Sequence, residues 1–179
     1  MVYIIAEAGV NHNGKLDMAL QLVNIAKESG ADAIKFQTFK ANKLASQEAD
    51  KAQYQKESTD SNESQVDMLK KLELSYDEFR QIKKYCIKKG IEFISTPFDL
   101  ESAQFLNELN VSTYKIGSGD LTNYPLLRKV AQTGKKMILS TGMSNLDEVE
   151  NSVKYVLKNG CKELVVLHCI SNYPTKDED

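Results

Sequence analysis

The sequence predicts an α/β fold of the (β/α)8 TIM-barrel type. Three observations predict it. Short β-branched runs alternate six times with amphipathic stretches of helical period, the pattern of parallel strands joined by right-handed helical crossovers. Each run leaves toward the next helix through a polar or glycine-rich segment, whereas a doubly wound sheet gathers its ligand groups at one switch point. The first such exit, Glu7-Ala8-Gly9-Val10-Asn11-His12-Asn13-Gly14, lacks the G-x-G-x-x-G spacing of a dinucleotide site.

The elements follow in order. The first strand is expected over Val2–Glu7. A helix is expected from Lys15 to Ser29, with Leu16, Ala19, Leu20, Val23 and Ala26 on one face and Gly30 as its stop. The second strand is Ala33–Gln37. The stretch from Lys40 to Ser64 is rich in Lys, Gln, Glu, Ser and Asp with little apolar periodicity, and reads as a long, partly helical excursion. Helical signal resumes at Gln65–Leu72 and from Tyr76 to Lys89, ending at Gly90. Strands follow at Glu92–Ser95, Thr113–Ile116, Lys136–Leu139 and Leu164–His168. Between them lie helices near Leu100–Asn110, Tyr124–Thr133 and Leu146–Asn159, with Gly134 and Gly160 closing two of them. Ser144-x-x-Asp147 reads as a capping-box variant opening the last helix.

Composition narrows the function classes. At 179 residues and 41% apolar content, the chain can bury one sizeable core and is not a disordered segment. A net charge of −2 leaves no broad basic field for nucleic acid or acidic lipid. No apolar run approaches the ~20 residues of a membrane helix, and no basic, apolar and small-residue series marks a signal peptide. Cys86, Cys161 and Cys169 form no C-x-x-C pair, which suits reduced thiols in a cytoplasm; none has a sequence-level reason to be reactive.

Chemistry concentrates at the strand exits. Lys35 and Lys115 are charges inside otherwise apolar strands, and a buried ammonium needs an anion. Gly117-Ser118-Gly119 and Ser140-Thr141-Gly142 offer hydroxyls and backbone N–H groups at strand-to-helix turns, which is anion-binding chemistry and most economically phosphate. The plainer alternative for each lysine is a strand-end side chain paired with Glu7 or Asp120. Glu7 is either such a partner or an acid, base or hydroxyl-orienting carboxylate. Asp120 is either a ligand contact or a helix N-cap. His12 and His168 are too few for a metal site and read as loop-orienting hydrogen bonders. Tyr173-Pro174 is a rigid turn with an aromatic that can meet a ligand. Met18, Met68, Met137 and Met143 read as packing residues.

At these exits the sequence resembles the sialic acid synthase family, which includes N-acetylneuraminate, legionaminate and spore-coat polysaccharide synthases. The matching pieces are EAGVNHNG (Glu7–Gly14), KFQTF (Lys35–Phe39), STPFD (Ser95–Asp99), YKIGSGD (Tyr114–Asp120), LSTGM (Leu139–Met143) and LHCISNYPT (Leu167–Thr175). ESQVDMLKKLELS (Glu63–Ser75) also resembles the family's segment before the third strand.

The resemblance implies a (β/α)8 barrel that condenses phosphoenolpyruvate with an N-acylated mannosamine or a close relative, giving a nine-carbon 2-keto sugar acid and phosphate. It implies a divalent metal, Mn or Mg, that activates the open-chain aldehyde, and a homodimer. It assigns Lys35, Thr96, Lys115, Ser118 and Ser140 to phosphoenolpyruvate. It places Glu7 near the attacking carbon or incoming water, and Gln37, Asp120 and Tyr173 on the sugar. Asp120 stands where some relatives carry Glu. The excursion from Lys40 to Ser64 would help cover the acceptor sugar.

The family's metal-binding histidines, in motifs like GLSDH and EKHF, are expected beyond residue 179, as are strands seven and eight. The C-terminal antifreeze-like domain has no counterpart in residues 1–179. The expectation is therefore an incomplete synthase barrel domain, impaired in stability and turnover. Two alternatives stand beside it: a non-catalytic fragment or half of a split synthase, and a Schiff-base aldolase using Lys115.

Overall fold

The computed structural model describes residues 2–44 and 64–171. Six strands occur in it: β1 (Ile5–Gly9), β2 (Ala33–Thr38), β3 (Glu92–Pro97), β4 (Thr113–Ile116), β5 (Lys136–Ser140) and β6 (Leu164–Leu167). The sheet order is the chain order, β1 to β6. The β1–β2, β3–β4, β4–β5 and β5–β6 pairs are parallel. Helices α1 (Leu16–Glu28), α2 (Ala41–Leu44), α3 (Gln65–Leu72), α4 (Tyr76–Lys89), α5 (Leu100–Glu108), α6 (Tyr124–Ala131) and α7 (Leu146–Lys158) fill the connections, with a 3-10 turn at Ser118–Asp120. The chain divides into two compact units, residues 1–93 and 94–179.

In the first unit, α1 packs against α4. Ala19, Val23 and Ala26 of α1 and Phe79, Ile82 and Cys86 of α4 are buried. Leu16 and Leu20, expected on the same α1 face, are half-buried, because the small Ala and Val side chains let the helices approach and leave the leucines at the flank. Phe36 stacks on Phe93 at 5.8 Å between ring centroids, and Phe79 meets Phe93 edge-on at 6.4 Å. Ser75 and Glu78 form a reciprocal capping box at the start of α4, and Gly90 ends it at φ 67°.

β1 begins later than expected and runs through Gly9. Val2, Tyr3 and Ile4 are 81%, 51% and 55% exposed. The Ile4 backbone is tied to a turn instead: its N–H donates to the Asp32 carboxylate at 2.8 Å and its carbonyl accepts from Asp32 and Ala33. Hydrophobicity alone mistook this exposed lead-in for ladder.

In the second unit, β4 is buried on both faces, as a parallel strand covered by helices should be. Leu106 of α5, Leu127 and Val130 of α6 and Val156 of α7 are buried, as are Tyr114, Ile116, Met137 and Leu139 of β4 and β5. α5 packs on α6 and α6 on α7. Ser152 donates to the Leu121 carbonyl at 2.8 Å and pins α7 to the turn after β4.

The cap of α7 is Asn145 with Glu148, one residue beyond the expected Ser144 and Asp147. The Asn145 side chain accepts from the Glu148 N–H at 2.9 Å, and the Glu148 carboxylate accepts from the Asn145 N–H at 2.9 Å. Met143 is not a packing residue: it is 71% exposed with φ 64°. Met68 and Met137 are buried as expected.

Candidate functional site

In the first unit the strand register creates an ion pair. Glu7 lies opposite Lys35 in the parallel ladder, so both side chains leave the same face, and their charged ends meet. Lys35 is largely buried, its side chain 13% exposed, while Glu7 opens to solvent at 52%. The ladder shifts by a bulge between Glu7 and Gly9. Gly9 sits at φ +51°, and a Cβ there would come within 3.2 Å of the Glu7 carboxylate and 3.8 Å of the Gln37 amide. The missing side chain thus leaves Glu7 and Gln37 room at the mouth of β1 and β2. Here the pairing alternative for Lys35 is what the structure realises.

His12 lies in the turn after β1 and is buried to 1% exposure. Its Nδ1 accepts from the Gly14 N–H at 3.1 Å, the loop-orienting role expected of it. Among the described residues its Nε2 has no hydrogen-bond partner. Burial pushes its pKa below the ordinary 6.5, against the weaker upward pull of Glu78. His168 is exposed.

In the second unit the charge is buried more deeply. Lys115 is 7% exposed. In the register it faces Ile138, and Ser140 follows two residues on, on the same face. The lysine stem therefore runs along the strand toward its C-terminal end. There Nζ donates to the Ile116 carbonyl at 2.7 Å and to Ser140 Oγ at 2.5 Å.

The next turn adds further polar groups. A Cβ at Gly142 would come within 3.0 Å of Ser118 Oγ, 3.2 Å of Ser171 Oγ and 3.4 Å of the Cys169 carbonyl. Only glycine lets these oxygens approach the turn so closely. Thr141 Oγ1 donates to the Leu167 carbonyl at 2.8 Å. A cavity of about 670 Å³ opens beside the turn, lined in part by Gly142, Met143, Leu146, Val166 and Cys169.

Asp120 closes the 3-10 turn and is half-buried. Burial raises its pKa, partly offset by the Asn123 amide, which donates to it at 3.0 Å. The helix-cap alternative for Asp120 is not realised: Asn123 caps α6, accepting from the Leu126 N–H at 3.3 Å.

Of the residues expected at the site, the structure thus joins Glu7 with Lys35 and Gln37, and Lys115 with Ser140. It sets Ser118 against the Gly142 turn. Thr96 is buried in β3. Tyr173 and most of the Lys40–Ser64 excursion lie outside the described residues. Among the described residues no group of three His, Cys, Asp or Glu side chains is placed to hold a metal ion. Also among them, no helix is long and apolar enough to cross a membrane.

Comparison with known proteins decides the family. Residues 22–179 match the NeuB family. The chain belongs to the NeuB family. It is 50% identical over 173 residues to the N,N'-diacetyllegionaminic acid synthase of Campylobacter jejuni, covering 96% of this chain and 52% of that protein. It is 38% identical over 184 residues to the human N-acetylneuraminate-9-phosphate synthase, covering 99% of this chain and 49% of that one. The crystal structure of N-acetylneuraminic acid synthetase from Leptospira borgpetersenii, in complex with citrate, superposes with a TM-score of 0.86 at 35% identity, covering 99% of this chain and 57% of that one. The chain spans about half the length of the curated relatives it matches. The fold of this NeuB chain is of the (β/α)8 barrel type expected from the sequence, represented by six parallel strands with flanking helices.

One neighbour of the glycine turn escaped sequence reasoning. Cys169 has no motif to flag it, yet its thiol donates to the Leu167 carbonyl at 3.3 Å and it lines the cavity beside the Gly142 turn. Burial pushes this thiol up, but the neighbouring Ser140 hydroxyl, the Thr141 and Gly142 N–H groups and the Lys115 charge outweigh burial and bring it below the ordinary value. Cys86 is the opposite case, pushed up to about 12 by burial. The Cys sits two residues past β6 while its partners lie on and after β5, so only the fold brings them together.

Proposed function

We propose that this chain forms part of a phosphoenolpyruvate-dependent sugar-acid synthase, with residues 1–179 contributing the N-terminal part of its barrel domain. The reaction joins C3 of phosphoenolpyruvate to the aldehyde carbon of an N-acylmannosamine-type sugar. Water adds at C2, and phosphate leaves by C–O cleavage. The product is a nine-carbon 2-keto sugar acid. Membership of the NeuB family and the legionaminic and neuraminic acid synthases among its relatives support this reading.

The observation that carries it is the buried Lys115 ammonium, hydrogen-bonded to Ser140 at the C-terminal end of its strand beside a glycine turn. A fixed cation and hydroxyl at a strand exit stabilise an anion without reorganising, which is commonly a large catalytic term. In this reading Lys115, Ser118 and Ser140 hold the anionic groups of phosphoenolpyruvate, with Lys35 and Thr96 assigned to the same ligand. Glu7, carrying the charge that pairs Lys35, orients or takes a proton from the water that adds at C2. Gln37, Asp120 and Tyr173 are assigned to the sugar. Asp120 is the apt proton donor among them, because burial favours its neutral form.

The family resemblance adds a divalent metal, Mn or Mg. The described residues do not furnish a fitting donor set, so no step is assigned to a metal on this chain.

Calorimetric titration of the chain with phosphoenolpyruvate and, separately, with N-acetylmannosamine tests the assignment. Lys115→Ala and Ser140→Ala are each expected to weaken phosphoenolpyruvate binding about tenfold, from losing a charge-assisted hydrogen bond. Sugar binding is expected to change less than about threefold. Equal loss for both ligands would remove Lys115 from its role. A Schiff-base aldolase is the weaker alternative: Lys115 Nζ is held by a carbonyl and the Ser140 hydroxyl, the setting of an anion cradle rather than the apolar pocket a nucleophilic lysine needs. Borohydride trapping of a carbonyl substrate on Lys115 would reverse that ranking.

A further inference from the structure

We propose that Asn123 is the positioning residue for Asp120: its side-chain oxygen is committed to the first turn of α6, so its amide nitrogen is turned onto Asp120 Oδ1 and Oδ2 is left to meet the sugar. The inference rests on the reading of Asp120 as a sugar contact and adds the residue that orients it.

The sequence Asn123-Tyr124-Pro125-Leu126 sets the arrangement. Pro125 lies in the first turn of α6 and brings no N–H. The Leu126 N–H donates to the Asn123 side-chain oxygen at 3.3 Å. A backbone N–H can only donate, so the amide oxygen faces the helix and the amide nitrogen faces away from it. That nitrogen, Nδ2, donates to Asp120 Oδ1 at 3.0 Å. The backbone joins the same two residues, with the Asn123 N–H donating to the Asp120 carbonyl at 3.0 Å. On the other side the Asp120 N–H donates to the Gly117 carbonyl at 3.1 Å, and the carbonyl of Leu121, next in the chain, is held by Ser152. The carboxyl group therefore hangs from a turn fixed at several points, and one amide sets its direction.

An Asp or a Gly at position 123 would cap α6 nearly as well but would have no side-chain donor. Asn does both jobs at once. Burial favours the neutral form of Asp120 and the Asn123 bond opposes it; among the described residues Asp120 forms no ion pair that adds to either side. In a neutral carboxyl the carbonyl oxygen is the stronger acceptor, so the bond to Oδ1 keeps the proton on Oδ2. Oδ2–H then donates to an oxygen of the sugar, and in the ionised form the same Oδ2 accepts from a sugar hydroxyl. In either state one atom meets the ligand.

The test is a carbon-13 NMR titration of the intact chain carrying labelled aspartate, with Asp120→Asn used to assign the Asp120 signal. Asn123→Gly removes the amide, adds no charge and leaves a residue that still suits the start of a helix. It is expected to move the Asp120 midpoint upward and to weaken N-acetylmannosamine binding about fivefold, with phosphoenolpyruvate binding changed less than about twofold. A role confined to the helix cap predicts neither effect. A second arm needs no variant: the nitrogen-15 and proton signals of the Asn123 side-chain amide should titrate with the midpoint of Asp120. If Asn123→Gly does not fold, this arm decides. Asn123 amide signals indifferent to the Asp120 titration overturn the proposal, and so does an unmoved Asp120 midpoint in Asn123→Gly; both leave the proposed function standing. Sugar binding unchanged in Asn123→Gly overturns it as well. Coupled titration in a chain that binds phosphoenolpyruvate and sugar not at all supports the Asn123–Asp120 link and removes the proposed function instead.

Discussion

His12 shows how one side chain couples this fold to pH. Its Nδ1 must accept from Gly14, so the neutral imidazole is the form the fold holds, and burial lowers its pKa. Between that lowered value and 6.5 the unfolded chain binds more protons than the folded one. Stability therefore falls as pH drops through 6.5 and levels off once the folded value is passed. Urea midpoints at a series of pH values should show this slope between pH 7.5 and 5.5, and His12→Gln should flatten it. An unchanged slope in the variant would assign the effect to other groups. Lys115 and Ser140 were legible as a pair of site residues because a charge in an apolar strand demands an explanation. The surroundings of Cys169 were not, since another strand's exit supplies them. Nor was the neutral bias of Asp120, which comes from packing that no local pattern encodes.

At the scale of elements, the turn after β1 is the tightest joint in the first unit. Gly14 sits at φ +68°, and a Cβ there would lie 2.1 Å from the Lys71 carbonyl oxygen at the end of α3. Gly14→Ala is expected to destabilise by about 3 kcal/mol, combining left-handed backbone cost with a backbone clash. Gly30 is the matched control. Its φ is +82° but nothing lies within 4 Å of a Cβ, so Gly30→Ala should cost only about 1 kcal/mol, seen as a smaller fall in urea midpoint. Similar losses for the two would show that contact with α3 is unimportant. The helices themselves were largely readable, because apolar period and glycine stops act locally. The one-residue error at α7 arose because Ser144 and Asn145 are both good caps, and only the reciprocal bonds to Glu148 decide between them. The three-residue error at β1 arose because Val2, Tyr3 and Ile4 have strand composition but no burial.

Over the whole molecule, one group of exposed apolar side chains lies around the last strand and the turn before α7. Val165 and Val166 of β6 are 37% and 45% exposed, Met143 is 71% and Leu146 is 81% exposed, and β6 stands last in the strand order. Met143, Leu146 and Val166 also line the cavity beside Gly142. Apolar surface gathered this way binds hydrophobic dyes. The chain is expected to enhance the fluorescence of an anilinonaphthalene sulfonate dye, and Leu146→Glu combined with Val166→Lys should remove most of that signal. A signal of full size in the double variant would place the dye elsewhere. The fold class was readable because alternation of strand and helix is a global pattern that single-residue errors do not disturb. The division of polar groups between the two compact units was not, because spacing along the chain carries no distances.

The Glu73 carboxylate receives both the Lys40 ammonium, at 2.9 Å, and the Ala41 N–H, at 2.8 Å, while α2 packs on α3. The start of α2 and the far end of α3, on either side of residues 45–63, are thereby clasped together. The entropy of closing a loop rises only with the logarithm of its length once the ends are held. Such a clasp fixes α2 against α3 by contacts of their own, whatever the length of chain that joins them.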